Sequence, residues 1–186
     1  MIERVRPMFF AAAVAAVLMA PRAALAGPPL LCFPFDIGNA QSLPMLQGSW
    51  RAIDPHYDVT HLVGDTLALL AADTPVIVRM ETLRRATVYA AERPEIATAL
   101  LAALRDRAKV PVPNVGLAVF DFGYLVETYR QATPIFKHPI AAIEGINGYQ
   151  FVLKARALQS DASMDYAAKL IAGTVSPHVT ASPHQQ

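Results

Sequence analysis

Along the last two thirds of the chain, apolar side chains recur every three or four residues. This spacing is the period of an amphipathic helix. The repeat begins just after Thr60 and is broken by short stretches rich in proline and glycine. It predicts six helical segments, of which the shortest is the first. They cover about residues 62–70, 75–93, 94–109, 115–131, 148–159 and 161–172.

Residues with capping preferences mark where these helices begin and end. Thr60 and Thr74 are predicted N-caps, because a threonine hydroxyl can accept from a free N–H of the first turn. Pro94 opens one helix and ends the preceding one, since the residue before a proline avoids helical geometry. The pair Ser160 and Asp161 is predicted to supply the cap of the last helix, and Gly173 to end it.

The segment between residues 27 and 59 has no helical period. Proline, glycine and turn-forming pairs interrupt it throughout, so it is predicted to be an irregular arm. The arm is nevertheless rich in large apolar residues, from Leu30 to Trp50. An exposed arm of this composition would aggregate, so we expect it to pack across the helical body or across a partner.

These patterns predict an all-α domain of five or six helices over residues 60–173, with a flexible tail over 174–186. Residues 75–109 and 148–172 each form a helix, a short turn and a helix, which predicts antiparallel αα-hairpins in a solenoid-like array or an irregular bundle. The small and aromatic residues of 118–132 and 149–172 resemble tetratricopeptide-type packing. That resemblance implies stacked helical hairpins.

The first 26 residues have the layout of a secretory signal peptide. A charged start is followed by thirteen apolar residues, 8–20, and then by Ala24 and Ala26 at the small-residue positions of a cleavage site. Thirteen apolar residues are too few to span a bilayer, which takes roughly 20. We therefore expect cleavage before Gly27 and export to the periplasm or the medium. The start of the mature chain, Leu31 to Gly38, resembles that of exported bacterial proteins of unknown activity.

Removal of residues 1–26 changes the charge balance. The whole chain has 16 basic and 15 acidic residues; the leader contains three arginines and one glutamate, so 13 minus 14 leaves −1. A near-neutral domain argues against nucleic-acid binding, which needs a basic face. No segment of the mature chain is long and apolar enough to predict a membrane span.

Cys32 is the single cysteine in the sequence, so no disulfide within the chain can form. We interpret it as a structural thiol. The alternatives are a bond to another chain or a free reactive thiol, for which the neighbouring sequence supplies no base.

Two clusters could support chemistry. His56, Asp58 and His61 are acceptable ligands for a divalent metal, although a spacing of five between the histidines does not suit one helical face. The rival interpretation is that the aspartates of this segment form turns.

The second cluster combines carboxylates and arginines on neighbouring helices. Glu81, Arg84, Asp121 and Tyr124 could line a polar groove, although salt bridges on solvated faces are the usual explanation for such pairs. Asp121 lies between two phenylalanines, where a buried charge needs a partner. If it is buried, that partner is predicted to be an arginine of the 75–92 helix.

The sequence contains no nucleophile elbow, phosphate loop or paired-cysteine zinc motif. It therefore favours a non-enzymatic, exported interaction module that binds a protein or peptide and carries no cofactor. The alternative is a small metal-binding protein or enzyme that uses the histidine cluster.

Overall fold

The computed structural model of the chain describes residues 27–111 and 114–174. Within these ranges the chain forms six α-helices and two short 3-10 helices and has no β-strand, so the all-α prediction is confirmed. A single antiparallel bridge joins Met45 to Ile53 in the arm. The predicted signal peptide, 1–26, and nearly all of the predicted tail lie outside the described residues.

The helices begin and end close to the positions that the sequence predicts. The 3-10 helices are Val59–His61 and Ala141–Ile143. The α-helices are α1 Leu62–Leu69, α2 Val76–Ala90, α3 Pro94–Lys109, α4 Val115–Phe136, α5 Gly148–Leu158 and α6 Ala162–Ala172.

Three helix ends differ from prediction. Thr60 does not cap α1; Asp58 instead accepts from the Thr60 N–H and caps the 3-10 helix before it. Thr74 directs its hydroxyl to the Leu69 carbonyl at 2.9 Å and leaves Pro75 as the N-cap of α2. Helix α4 continues through Pro134, because a proline in the last turns removes only one hydrogen bond.

The longest helix, α4, is the centre of the fold. Every residue from 116 to 129 is buried, as expected of a helix surrounded by other elements. Helices α2, α3 and α5 all pack on it. Helices α2 and α3 contact each other much less than either contacts α4, so their pairing as a hairpin stays a prediction.

Helices α4 and α5 approach each other through two glycines. A Cβ atom on Gly123 would lie 2.6 Å from the Phe151 Cβ and 2.7 Å from the Gly148 carbonyl oxygen. A Cβ atom on Gly148 would collide with the Gly123 carbonyl oxygen. Gly123 and Gly148 therefore let the backbones of α4 and α5 come close together.

The arm lies across α2. Leu30, Leu31 and Leu43 are completely or almost completely buried against the helices. Three arm amides donate to buried side chains: Leu30 N–H to Gln131 at 2.9 Å, Phe35 N–H to Glu81 at 3.0 Å and Asp54 N–H to Tyr89 at 3.0 Å. The arm is therefore part of the packed body.

Candidate functional site

The histidine cluster is on the surface. His56, Asp58 and His61 are all exposed, and the Asp58 carboxylate is used as a cap for the 3-10 helix. The His61 Nε2 atom lies 4.0 Å from Asp58 Oδ2. Within residues 27–111 and 114–174, no three histidine, cysteine or acidic side chains come together as metal ligands. The structure thus does not assemble a three-ligand site from these residues.

The residues that the sequence grouped into a polar groove are all in the interior. Glu81, Arg84, Asp121 and Tyr124 have at most 2 % of their surface exposed. The expectation that such pairs lie on solvated faces was therefore wrong. For Glu81 and Arg84 the reason is the arm, which covers their side of α2. Asp121 and Tyr124 are buried because they lie on α4, at the centre of the helices.

Glu81 is the centre of the first cluster. Its carboxylate accepts from Arg84 at 2.7 and 2.8 Å, from Arg85 at 2.7 Å and from the Phe35 N–H. Burial by itself raises the pKa of Glu81, but the two guanidinium groups outweigh it and hold the pKa below its usual value. Its stabilising contribution is thus complete above the unfolded pKa and disappears as the pH falls through the folded pKa.

The same two arginines hold the arm. Arg84 donates to the carbonyls of Leu31 and Trp50 at 3.3 and 3.1 Å, and Arg85 donates to the Leu43 carbonyl at 2.6 Å. We call Glu81, Arg84 and Arg85 the arm clamp. Together the three side chains bond four backbone positions of the arm, at Leu31, Phe35, Leu43 and Trp50, which is a structural role.

Asp121 is the centre of the second cluster. Its Oδ2 atom lies 2.6 Å from Arg79 Nη1, and both side chains are buried, which confirms the predicted pairing with an arginine of α2. Arg79 also donates to the carbonyls of Ala71 and Thr74. Arg107 on α3 donates to the Leu70 carbonyl at 2.8 Å. The two guanidinium groups thus satisfy carbonyls at and beyond the C-terminal end of α1, where positive charge is favourable.

Burial raises the pKa of Asp121 from 3.8 to about 7, although the charges of Arg79 and Arg107 oppose the rise. At a pH between these two pKa values, Asp121 carries a proton more often in the folded protein than in the unfolded chain. The stability that depends on this group therefore falls as the pH rises through that window, by at most about 1.4 kcal/mol per pH unit.

We expect Asp121→Asn to remove this dependence, because asparagine mimics the neutral acid at every pH. The free energy of unfolding, measured in urea near pH 5 and near pH 8, tests it. The wild type should lose stability relative to the variant between the two values. If the free energy of unfolding depended on pH in the same way in the wild type and in Asp121→Asn, the raised pKa of Asp121 would be contradicted.

The aromatic side chains of α4 belong to the core. Phe120 and Tyr124 stack with their ring centres 5.4 Å apart, and both are fully buried. The Tyr124 hydroxyl has no hydrogen-bond partner among the described residues, and burial raises its pKa well above the usual value. These rings do not line a cleft that opens to solvent.

Cys32 is half-buried at the start of the arm. Burial raises the pKa of its thiol, and the nearby charges of Arg51 and Arg84 offset only part of the rise. A raised pKa leaves little thiolate at neutral pH, and the thiolate is the nucleophilic form. The environment of this cysteine thus favours its interpretation as a structural thiol.

An open groove lies apart from these residues, in the part of the chain that the structure describes. It has a volume of about 1000 Å³ and lies between α4 and α6, beside the first residues of the arm. We call it the α4–α6 groove. Its apolar surface comes from four elements of the chain, namely Pro28 and Pro29 of the arm, Pro134 of α4, Ile146 before α5, and Leu170 of α6.

Polar side chains form the rim of the α4–α6 groove. Glu127 accepts from the Tyr149 N–H at 3.0 Å and from Arg130 at 3.3 Å. Arg130 also donates to the Ile146 carbonyl at 2.5 Å, and half of its side chain stays exposed. Lys169 is exposed on the opposite side. Sequence reasoning missed this groove, because its walls are brought together from positions more than 100 residues apart.

No family model, no curated protein and no solved structure matches this chain. None of the described helices combines the length and the apolar character that crossing a membrane requires.

Proposed function

We propose that the chain is an exported, non-enzymatic helical module that binds a protein or peptide partner in the α4–α6 groove. The observation that carries this proposal is the groove itself. At about 1000 Å³ it is at the upper end of the range for small-molecule pockets, which leaves room for several side chains of a peptide.

The composition of the α4–α6 groove suits a peptide. Its floor offers prolines and aliphatic side chains, which contact apolar side chains of a partner. The exposed side chain of Asn147, at its edge, can contact the partner's backbone. Apolar pockets with a few polar groups at the edge are the usual composition of recognition sites.

Its charge favours an acidic partner. Glu127 is already engaged by Arg130 and by a backbone N–H, so it offers little free negative charge. Arg130 and Lys169 both reach solvent at the rim. A partner segment with aspartate or glutamate next to apolar residues would therefore complement the groove, with the charges acting mainly on the rate of association.

Site-specific photocrosslinking tests the proposal. A benzoylphenylalanine at position 169, on the rim, should yield a discrete crosslinked partner in cells that express the exported protein. Position 154 supplies the matched control, because Lys154 is an exposed lysine of α5 that does not line the groove.

The partner captured at position 169 should also bind more weakly to Lys169→Glu than to Lys154→Glu, since only the first reversal places a negative charge on the groove. Adducts of equal yield at both positions, or none at position 169, would exclude the α4–α6 groove as the binding surface.

A further inference from the structure

A second cavity, of about 360 Å³, shares no lining residue with the α4–α6 groove. It lies where the turn after α1, the end of α3 and the start of α4 meet α2. Two arginines, Arg79 and Arg107, line it together with Asn114. The other described residues of its wall are aliphatic: Ala72, Val110, Leu117 and Ala118.

Both arginines keep hydrogen-bond donors to spare. A guanidinium group has five N–H donors. Arg79 uses three of them, on Thr74, Asp121 and Ala71, which leaves two. Arg107 uses two on the carbonyls of Leu67 and Leu70, which leaves three. These backbone carbonyls fix the position of each group, so the remaining donors are held in place before any ligand arrives.

The charges around the cavity do not balance. Two guanidinium groups face one buried carboxylate, that of Asp121, which contacts Arg79 from behind the cavity wall. Asp73 also acts on Arg79, but it is exposed and its charge is screened by water. Arg79 is buried and paired with Asp121, whereas Arg107 is half-buried and has no carboxylate in contact among the described residues. An anion in the cavity would supply Arg107 with a counter-charge.

We infer that this cavity binds a small organic acid, whose carboxylate group lies between Arg79 and Arg107 and whose hydrocarbon part contacts Val110, Leu117 and Ala118. Arginine pairs suit a carboxylate because their planar N–H groups match its two oxygens. The aliphatic walls distinguish such a ligand from a bare inorganic anion, which would bury no apolar surface there.

Calorimetric titration of the mature protein with hexanoate, acetate and inorganic phosphate tests the inference. Hexanoate should bind with a Kd near the millimolar range, as expected for a small ligand. Acetate should bind more weakly, because it lacks the hydrocarbon part. Stronger binding of phosphate than of hexanoate would overturn the assignment to an organic acid, and no binding of hexanoate up to about 50 mM would overturn the site.

Three variants locate the binding. Arg107→Gln should weaken hexanoate binding about tenfold or more, because it removes one charged donor group. Lys109→Gln is the control, since it removes the same charge from an exposed position of the same helix and should change nothing. Val110→Phe narrows the cavity from a half-exposed position without touching the core, so it should also weaken binding even if Arg107→Gln fails to fold. Unchanged binding in Val110→Phe would contradict the location.

Discussion

Glu81→Gln should lower the free energy of unfolding by about 3–5 kcal/mol, the largest effect we expect from any single substitution. The carboxylate of Glu81 is fully buried between Arg84 and Arg85. Without its negative charge, two guanidinium groups remain under the arm with no counter-charge. Chemical denaturation in urea, followed by circular dichroism, measures the loss.

The matched control is Glu92→Gln, which removes the same charge from an exposed position just after α2. It should change the stability by no more than about 0.5 kcal/mol. If Glu81→Gln were as mild as Glu92→Gln, the arm clamp would not be the feature that holds the arm on α2.

Gly123→Ala should be the second most damaging substitution, with a loss of about 1–3 kcal/mol. The new methyl group would lie 2.6 Å from the Phe151 Cβ and 3.0 Å from the Val152 nitrogen, so α5 must move away from α4. This overpacking outweighs the helix propensity gained when glycine becomes alanine, which is at most about 1 kcal/mol. Thermal and urea unfolding both report the change.

Gly64→Ala supplies a control of opposite sign. Gly64 is a helical glycine of α1 with nothing within 4 Å of a new Cβ atom. Alanine there should raise the stability by up to about 1 kcal/mol, since only the propensity term remains. If Gly123→Ala and Gly64→Ala changed the free energy of unfolding in the same direction, close packing of α4 on α5 would not be what Gly123 provides.

The sequence predicted the helices well, because most of their ends depend on local chemistry. Pro94 begins α3 as predicted, and the Asp161 side chain accepts from the N–H groups of Ser163 and Met164 as an N-cap should. These signals act within a few residues, so no knowledge of the rest of the fold is needed. The predicted end of α4 at residue 131 was too early, because tertiary packing can keep a helix intact past a proline such as Pro134.

Burial was harder to predict than helix ends. Arg79 and Arg84 lie on or near the face of α2 that the spacing predicts to be exposed, yet both are buried. The arm, which has no helical period, covers Arg84, and Arg79 is buried against Asp121 of α4. Nothing in the spacing of α2 indicates either contact. The Asp121 pairing was predictable for a different reason: a carboxylate between two phenylalanines must find a charged partner if it is buried.

The candidate sites also differ in how far the sequence predicts them. The histidine cluster was conspicuous in the sequence because its members are close together in the chain, but they are exposed and not assembled. The α4–α6 groove and the cavity at Arg79 and Arg107 were invisible there, since each combines residues from several distant elements. Sites of that kind depend on how the helices pack and are read only from the fold.

The central claim is that the arm is an integral part of the helical body and forms one wall of the α4–α6 groove. Amide hydrogen exchange of the protein tests it most directly, at two of the arm amides that donate to buried side chains, Leu30 and Phe35. We predict that both amides are protected from exchange almost as strongly as the amides of the α4 core. In Glu81→Gln, the protection of the Phe35 amide should be lost. Exchange at the rate of an unstructured peptide in the wild type would contradict the account.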